Sequence, residues 1–125
     1  MVLLFVYGTL RVGFDGPMAR WLRGVAQAVG QGHLTGCLYC VDDYPAFVPG
    51  EAGCVTGDLF ALRDPAMVLA KLDDYEQCSE WPQPHEYRRE RVMVMTSDGP
   101  FKAWAYIYAD DTSGLPLIVG GDFLH

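Results

Sequence analysis

The chain has 125 residues, half of them hydrophobic and a fifth charged, a balance that suits one globular domain with a packed core. Its net charge of −7 argues against nucleic acid and against an anionic membrane surface, since both need a surplus of Lys and Arg on at least one face. Arg88, Arg89 and Arg91 do cluster, but Glu86 and Glu90 are interleaved with them.

Val2 to Tyr7 is a continuous apolar run and predicts a buried first strand, ended by Gly8. The run is too short and too plain at its start for a signal peptide, and no segment approaches membrane-spanning length. After a loop through Gly13, Asp15 and Gly16, Pro17 suits the first turn of a helix. Met18, Trp21, Leu22, Val25 and Val29 recur at helical spacing, and Gly30 and Gly32 are read as its stop. A second strand is expected over His33 to Val41, then a turn at Asp42 to Pro45 and a Pro- and Gly-rich loop to Gly53.

Cys54 to Leu62 predicts the third strand. Asp64 as N-cap and Pro65 at the first helical position open a second helix, expected to reach about Gln77. A polar loop with Trp81, Pro82 and Pro84 follows. Tyr87 to Thr96 and Phe101 to Tyr108 then read as a hairpin around the turn Ser97 to Pro100. The glycine-containing tail from Asp110 to His125 is expected to carry a short final element or to pack on another subunit. The order β-α-β-β-α-β-β gives an α+β fold over residues 1–125 as a single domain: a mixed, mainly antiparallel sheet curling into a small barrel to hide its edges, flanked by helices.

Four cysteines stand at positions 37, 40, 54 and 78. The Cys37/Cys40 pair lacks the second ligand pair that a zinc site needs, and on a strand its two thiols point to opposite faces. Small buried residues in a reduced cytosol is the simpler reading. The three histidines are scattered and give a metal site no support.

Three features could carry chemistry. On the second helix Val68, Leu69, Leu72 and Tyr75 form an apolar stripe, and Glu76, four after Leu72 and seven after Leu69, falls inside it. Asp73 sits at the border and Asp74 points away. A carboxylate on the apolar side is costly unless paired or protonated, and partial burial makes it suitable for general acid/base work. A frayed helix end, or a pair with an arginine of the next strand, would explain Glu76 equally. The second feature is Tyr7-Gly8-Thr9-Leu10, where a strand ending in Gly lets backbone N–H groups form a concavity for a carboxylate or phosphate. It matches neither a Walker loop nor a dinucleotide fingerprint, and an ordinary strand-to-helix turn would read the same way. The third is the hairpin face bearing Trp104, Tyr106 and Tyr108, whose phenols could bond a substrate or Glu76, or simply pack.

The string Phe5-Val6-Tyr7-Gly8-Thr9-Leu10-Arg11 resembles the opening signature of the γ-glutamylcyclotransferase-like family, which includes the plant AIG2-like proteins and γ-glutamylaminecyclotransferase. Further matches follow in order at Gly36 to Tyr39, Tyr44 to Ala46, Val55 to Phe60, Leu72 to Glu76, Tyr87 to Arg89, Ala103 to Tyr106 and Gly121 to Phe123. The resemblance implies a small barrel flanked by helices. It implies that the loop Gly8, Thr9 and Leu10 holds the α-carboxylate of a γ-glutamyl group, with Tyr7 at the cavity edge. Glu76 would be the acid/base, and Tyr106 a late aromatic hydroxyl at the substrate. It implies ring closure to 5-oxoproline with release of an amine, no metal or organic cofactor, and a cytoplasmic setting. A non-catalytic binding module keeping the same cavity is the alternative, and Trp81 and Phe123 are candidate homodimer contacts. Gly16 stands where many relatives carry Asn, and Gln77 where many carry Gly, which leaves the leaving amine open.

Overall fold

The computed structural model describes residues 2–8, 10–11, 16–41, 44–75, 87–108, 112–118 and 120–122. Five strands and two helices follow in the order β1 (Leu3–Val6), α1 (Pro17–Val25), β2 (Ala26–Val41), β3 (Tyr44–Leu62), α2 (Pro65–Tyr75), β4 (Tyr87–Thr96) and β5 (Gly99–Tyr108). The strands close into a barrel in the order β1-β3-β2-β4-β5. All ladders are antiparallel except the seam where β1 meets β5 in parallel at Leu4 and Trp104. The expected mixed, mainly antiparallel barrel with flanking helices is therefore the observed fold.

Alternation along the strands sorts the apolar residues into two cores. Phe5, Tyr7, Leu34, Leu38, Phe47, Val55, Leu59, Val94, Ala103, Ala105 and Ile107 form one cluster, which fills the barrel. Leu4, Val6, Phe60, Leu62, Tyr106 and Tyr108 point the other way and meet Leu22 of α1 and Val68, Leu69 and Leu72 of α2. The helices thus cover an outer face of the barrel. The aromatic face of the hairpin lies beneath them, and small Ala103 and Ala105 turn into the narrow interior. Gly32 and Gly57 are register partners that leave room inside; a Cβ on either would strike Val94 or Phe5 respectively.

Two stretches differ from expectation. The first helix stops at Val25, and Ala26 at once pairs with Leu62, so Ala26 to Gly32 extends β2. Gly30 and Gly32 sit within that strand, with a register shift between Ala28 and Gly30, rather than ending a helix. Val29 is exposed there instead of continuing the helical stripe. The stretch after Asp43 is also strand: Tyr44 to Pro49 pairs with Gly36 to Val41, and a second register shift lies between Thr35 and Gly36. Pro45 and Pro49 are tolerated because β1 joins β3 only from Asp58 to Ala61, so one edge of this stretch lies outside the β1 ladder.

The second helix begins as expected. The Asp64 carboxylate accepts the Met67 N–H at 3.4 Å and its carbonyl accepts the Val68 N–H at 3.0 Å. The tail adds no long strand but is laid along the barrel. The Cys40 N–H donates to the Pro116 carbonyl at 2.8 Å, the Ile118 N–H to the Leu38 carbonyl at 2.8 Å, and the Thr56 N–H to the Gly121 carbonyl at 2.9 Å. Gly121 has φ +68°, and a Cβ there would collide with the Cys54 carbonyl.

Among the described residues, no helix is long and apolar enough to cross a membrane, and no group of three or more His, Cys, Asp or Glu could hold a metal ion. Cys37 and Cys40 are half-buried, whereas Cys54 is exposed rather than buried as expected. Cys78, Trp81 and Phe123 lie outside the described residues.

Candidate active site

The glycine loop is set by what surrounds it. Gly8 is buried, and a Cβ on it would stand 2.6 Å from Cγ and 2.9 Å from Cδ of Pro45. The requirement for glycine is thus close approach of another chain segment. Pro45 is held in turn, because the buried Tyr87 hydroxyl donates to its carbonyl at 2.8 Å. On the far side of the loop the Arg11 N–H donates to the Gly8 carbonyl at 3.1 Å, closing a tight turn. Leu10 is buried in the same cluster as Leu69, Leu72 and Tyr106. Thr9, between them, lies outside the described residues.

Arg11 is the buried anchor of the loop, a role the sequence does not announce. It is only 4 % exposed, and its side chain ties the loop to two distant segments. Its Nε lies 3.1 Å from the Asp58 carboxylate on β3, and its Nη1 lies 2.6 Å from the Asp122 carboxylate in the tail. A buried cation is retained only where it is paired and hydrogen-bonded, and Arg11 meets that condition twice. The available signal was the recurrence of Arg11, Asp58 and Asp122 in three of the motifs that carry the family resemblance.

The loop and the end of α2 meet at Tyr106. The Tyr7 phenol, inside the barrel, donates to the backbone carbonyl of Tyr106. The Tyr106 side chain, on the outer face, donates its own hydroxyl to Asp73 Oδ1 at 2.7 Å, with the Leu69 carbonyl at 3.5 Å. Arg89 Nε also approaches Asp73 Oδ1, at 3.1 Å. Asp73 therefore joins two strands to the last turn of α2, at the half-buried border position expected for it. The apolar stripe is as expected at Val68, Leu69 and Leu72, all buried.

Of the expected site residues, Tyr7, Gly8, Leu10 and Tyr106 are thus brought to one side of the molecule. Glu76 follows the last residue of α2 in sequence and lies outside the described residues, as does Gln77. The Tyr106 phenol is engaged by the protein itself, at Asp73 and Leu69. The roles of Tyr87 and Arg89, open in the sequence, are contacts to Pro45 and Asp73.

The chain also resembles known proteins along most of its length. Residues 4–125 match the family model described as "Gamma-glutamyl cyclotransferase, AIG2-like". A Vibrio cholerae protein named "Putative gamma-glutamylcyclotransferase" is 34% identical, the match covering 97% of this chain and 94% of that protein. The zebrafish (Danio rerio) "Gamma-glutamylaminecyclotransferase B" is 28% identical over 66% of this chain and 47% of its own, so the match spans about half of that relative's length. The crystal structure of an AIG2-like protein from Mus musculus superposes with a TM-score of 0.73 at 26% identity, covering 98% of this chain and 88% of that one. The family model matches nearly the whole chain and the barrel superposes on that AIG2-like structure, so the chain belongs to the gamma-glutamyl cyclotransferase, AIG2-like family.

Proposed function

We propose that the protein cyclises a γ-glutamyl compound to 5-oxoproline with release of an amine. The observation that supports this most is the double use of Tyr106, whose carbonyl accepts the Tyr7 phenol beside the glycine loop and whose own phenol donates to Asp73 in the last turn of α2, three positions before Glu76 in sequence. Loop and helix end are thereby tied to one residue.

In this reading the backbone N–H groups of Gly8, Thr9 and Leu10 hold the α-carboxylate of the glutamyl group. Tyr7 lines the edge, and Tyr106 forms the wall between loop and helix. Fixing the α-carboxylate folds the chain so that the α-amine approaches the γ-carbonyl carbon. The new C–N bond forms as the Glu76 carboxylate takes the amine proton. The bond to the leaving nitrogen breaks as Glu76 returns that proton to it, so one carboxyl serves both steps with no net proton change. No metal or organic cofactor enters these steps.

The test is Glu76→Gln, with 5-oxoproline measured across a panel of γ-glutamyl amines and dipeptides. Wild-type protein releases 5-oxoproline from at least one of them, and the variant releases none while still binding it. Full activity in the variant would refute the acid/base role. Binding without turnover in the wild type would favour the non-catalytic module.

A further inference from the structure

The barrel seam between β2 and β4 brings together three side chains that the cyclisation reading does not use. The two strands meet as register partners at His33 and Met95. Gly32 lets them approach: a Cβ there would strike Val94 and stand 3.4 Å from the Met95 carbonyl. Val94 is fully buried, so Met93 and Met95 on either side of it point outward, each 52% exposed. His33, between the buried Gly32 and Leu34, is exposed on the same outer face.

Single exposed hydrophobic residues need no explanation, but here two thioethers stand beside an imidazole. Among the described residues His33 makes no hydrogen bond or ion pair. The Cβ atoms of direct cross-strand partners are about 4.5–5.5 Å apart, and positions two apart on a strand are separated by about 6.6 Å. Methionine is unbranched with three rotatable bonds, so both sulfurs and an imidazole nitrogen can meet at one point above the seam. That donor set is soft. Thioether sulfur selects Cu(I) and imidazole suits copper, whereas hard dications need oxygen ligands. The neighbours of these positions on the same face, Gln31, Thr35, Thr56, Pro100 and Lys102, carry no carboxylate, and Asp58 opposite Gln31 is paired with Arg11. Lys102 stands opposite Met93, and its charge repels a dication twice as strongly as a monocation.

We propose that His33, Met93 and Met95 form a binding site for a soft monovalent metal ion, Cu(I), held by one imidazole nitrogen and two thioether sulfurs. The ligands come from two strands that pair at one register position, so the folded barrel assembles the site and the scattered histidines of the sequence do not reveal it. The ion takes no part in ring closure, and the inference stands independently of the cyclisation reading.

The first probe is Ag(I), which shares the charge and filled d shell of Cu(I) and is stable in air. The titration follows the methionine ε-methyl resonances of the full chain by NMR, identified with Met93→Leu and Met95→Leu. Thiols bind Ag(I) as well, so the titration runs past the four equivalents that the four cysteines can take. The Met93 and Met95 methyls shift together and saturate, while that of Met67, which is 43% exposed on α2, stays in place and serves as the control. His33→Gln raises the Ag(I) concentration at the midpoint by about tenfold or more, since loss of even an outer partner of a metal ligand costs about 10–100-fold. Zn(II) at the same concentrations leaves both methyls unmoved. Met93 and Met95 responding no earlier than Met67, or an unchanged midpoint in His33→Gln, overturns the site, and an equal response to Zn(II) overturns its softness. Cu(I) is then supplied without oxygen against a bicinchoninate competitor. The wild type withdraws about one equivalent more than the Met93→Leu/Met95→Leu double variant, and equal withdrawal removes Cu(I) as the ion.

Discussion

Replacing Arg11 by methionine keeps much of the apolar stem of the side chain and removes the guanidinium and its charge. The Asp58 side chain is only 8% exposed, and that of Asp122 is 21% exposed. Removing one partner of a buried pair costs about 3–5 kcal/mol, because the remaining carboxylate stays out of water without its cation. The partial exposure of Asp122 places the expected loss in the lower half of that range. With about 2.1 cal/mol/K of unfolding entropy per residue, 125 residues give about 0.26 kcal/mol/K, so each kcal/mol lowers the midpoint by about 4 °C. A thermal melt followed by circular dichroism should therefore show Arg11→Met lower by about 11–15 °C. Adding Asp58→Asn to that variant removes the stranded charge and should recover part of the loss, giving a non-additive double-mutant cycle. An Arg11→Met protein melting within about 4 °C of wild type, or strict additivity with Asp58→Asn, would refute the argument that this network anchors the loop.

Two further substitutions probe the other side of the loop. Gly8→Ala drives a methyl against the Pro45 ring, and the loop or β3 must shift to admit it. We expect about 1–3 kcal/mol of destabilisation by chemical denaturation and loss of substrate binding, since the loop N–H groups move with the backbone. Tyr87→Phe takes the buried hydroxyl from the Pro45 carbonyl and should cost about 1–3 kcal/mol in the same assay. The rings of Tyr87 and Tyr108, 5.5 Å apart in an edge-on arrangement, remain in contact, so the fold should survive.

The parts of the structure legible in the sequence were those governed by neighbours in the chain. The Asp64-Pro65 helix start, the stripe of Val68, Leu69 and Leu72, and the β4–β5 hairpin follow from local spacing and capping, although its turn is Ser97 and Asp98 rather than the expected Ser97 to Pro100, with Gly99 and Pro100 already paired in β5. What local pattern misled were segments decided at long range. Ala26 to Val29 continues a helical period, yet the offer of ladder bonds from Leu62, Ala61 and Phe60 makes it strand. Pro45 and Pro49 look like loop residues until the one-sided pairing of that stretch is known. The site divides the same way. Tyr7, Gly8 and Leu10 could be chosen from the turn chemistry after a buried strand. Arg11 could not be chosen as a buried anchor, because its partners stand 47 and 111 positions away. The sequence marks Tyr106 for its hydroxyl, whereas the structure also uses its carbonyl, which accepts the Tyr7 phenol.

The pairing of Arg11 with Asp122 also bears on how the molecule is made. The loop near the start of the chain receives its second carboxylate from a residue 111 positions later. During synthesis β1 and the loop emerge first, and Asp122 emerges only after all five strands. A nascent chain can close its barrel ladders before that point, but of the two carboxylates that Arg11 pairs with among the described residues only Asp58 is then present. Completion of the Arg11 anchor thus waits for Asp122 to emerge, and a product ending before position 122 would present a barrel with an unfinished cradle.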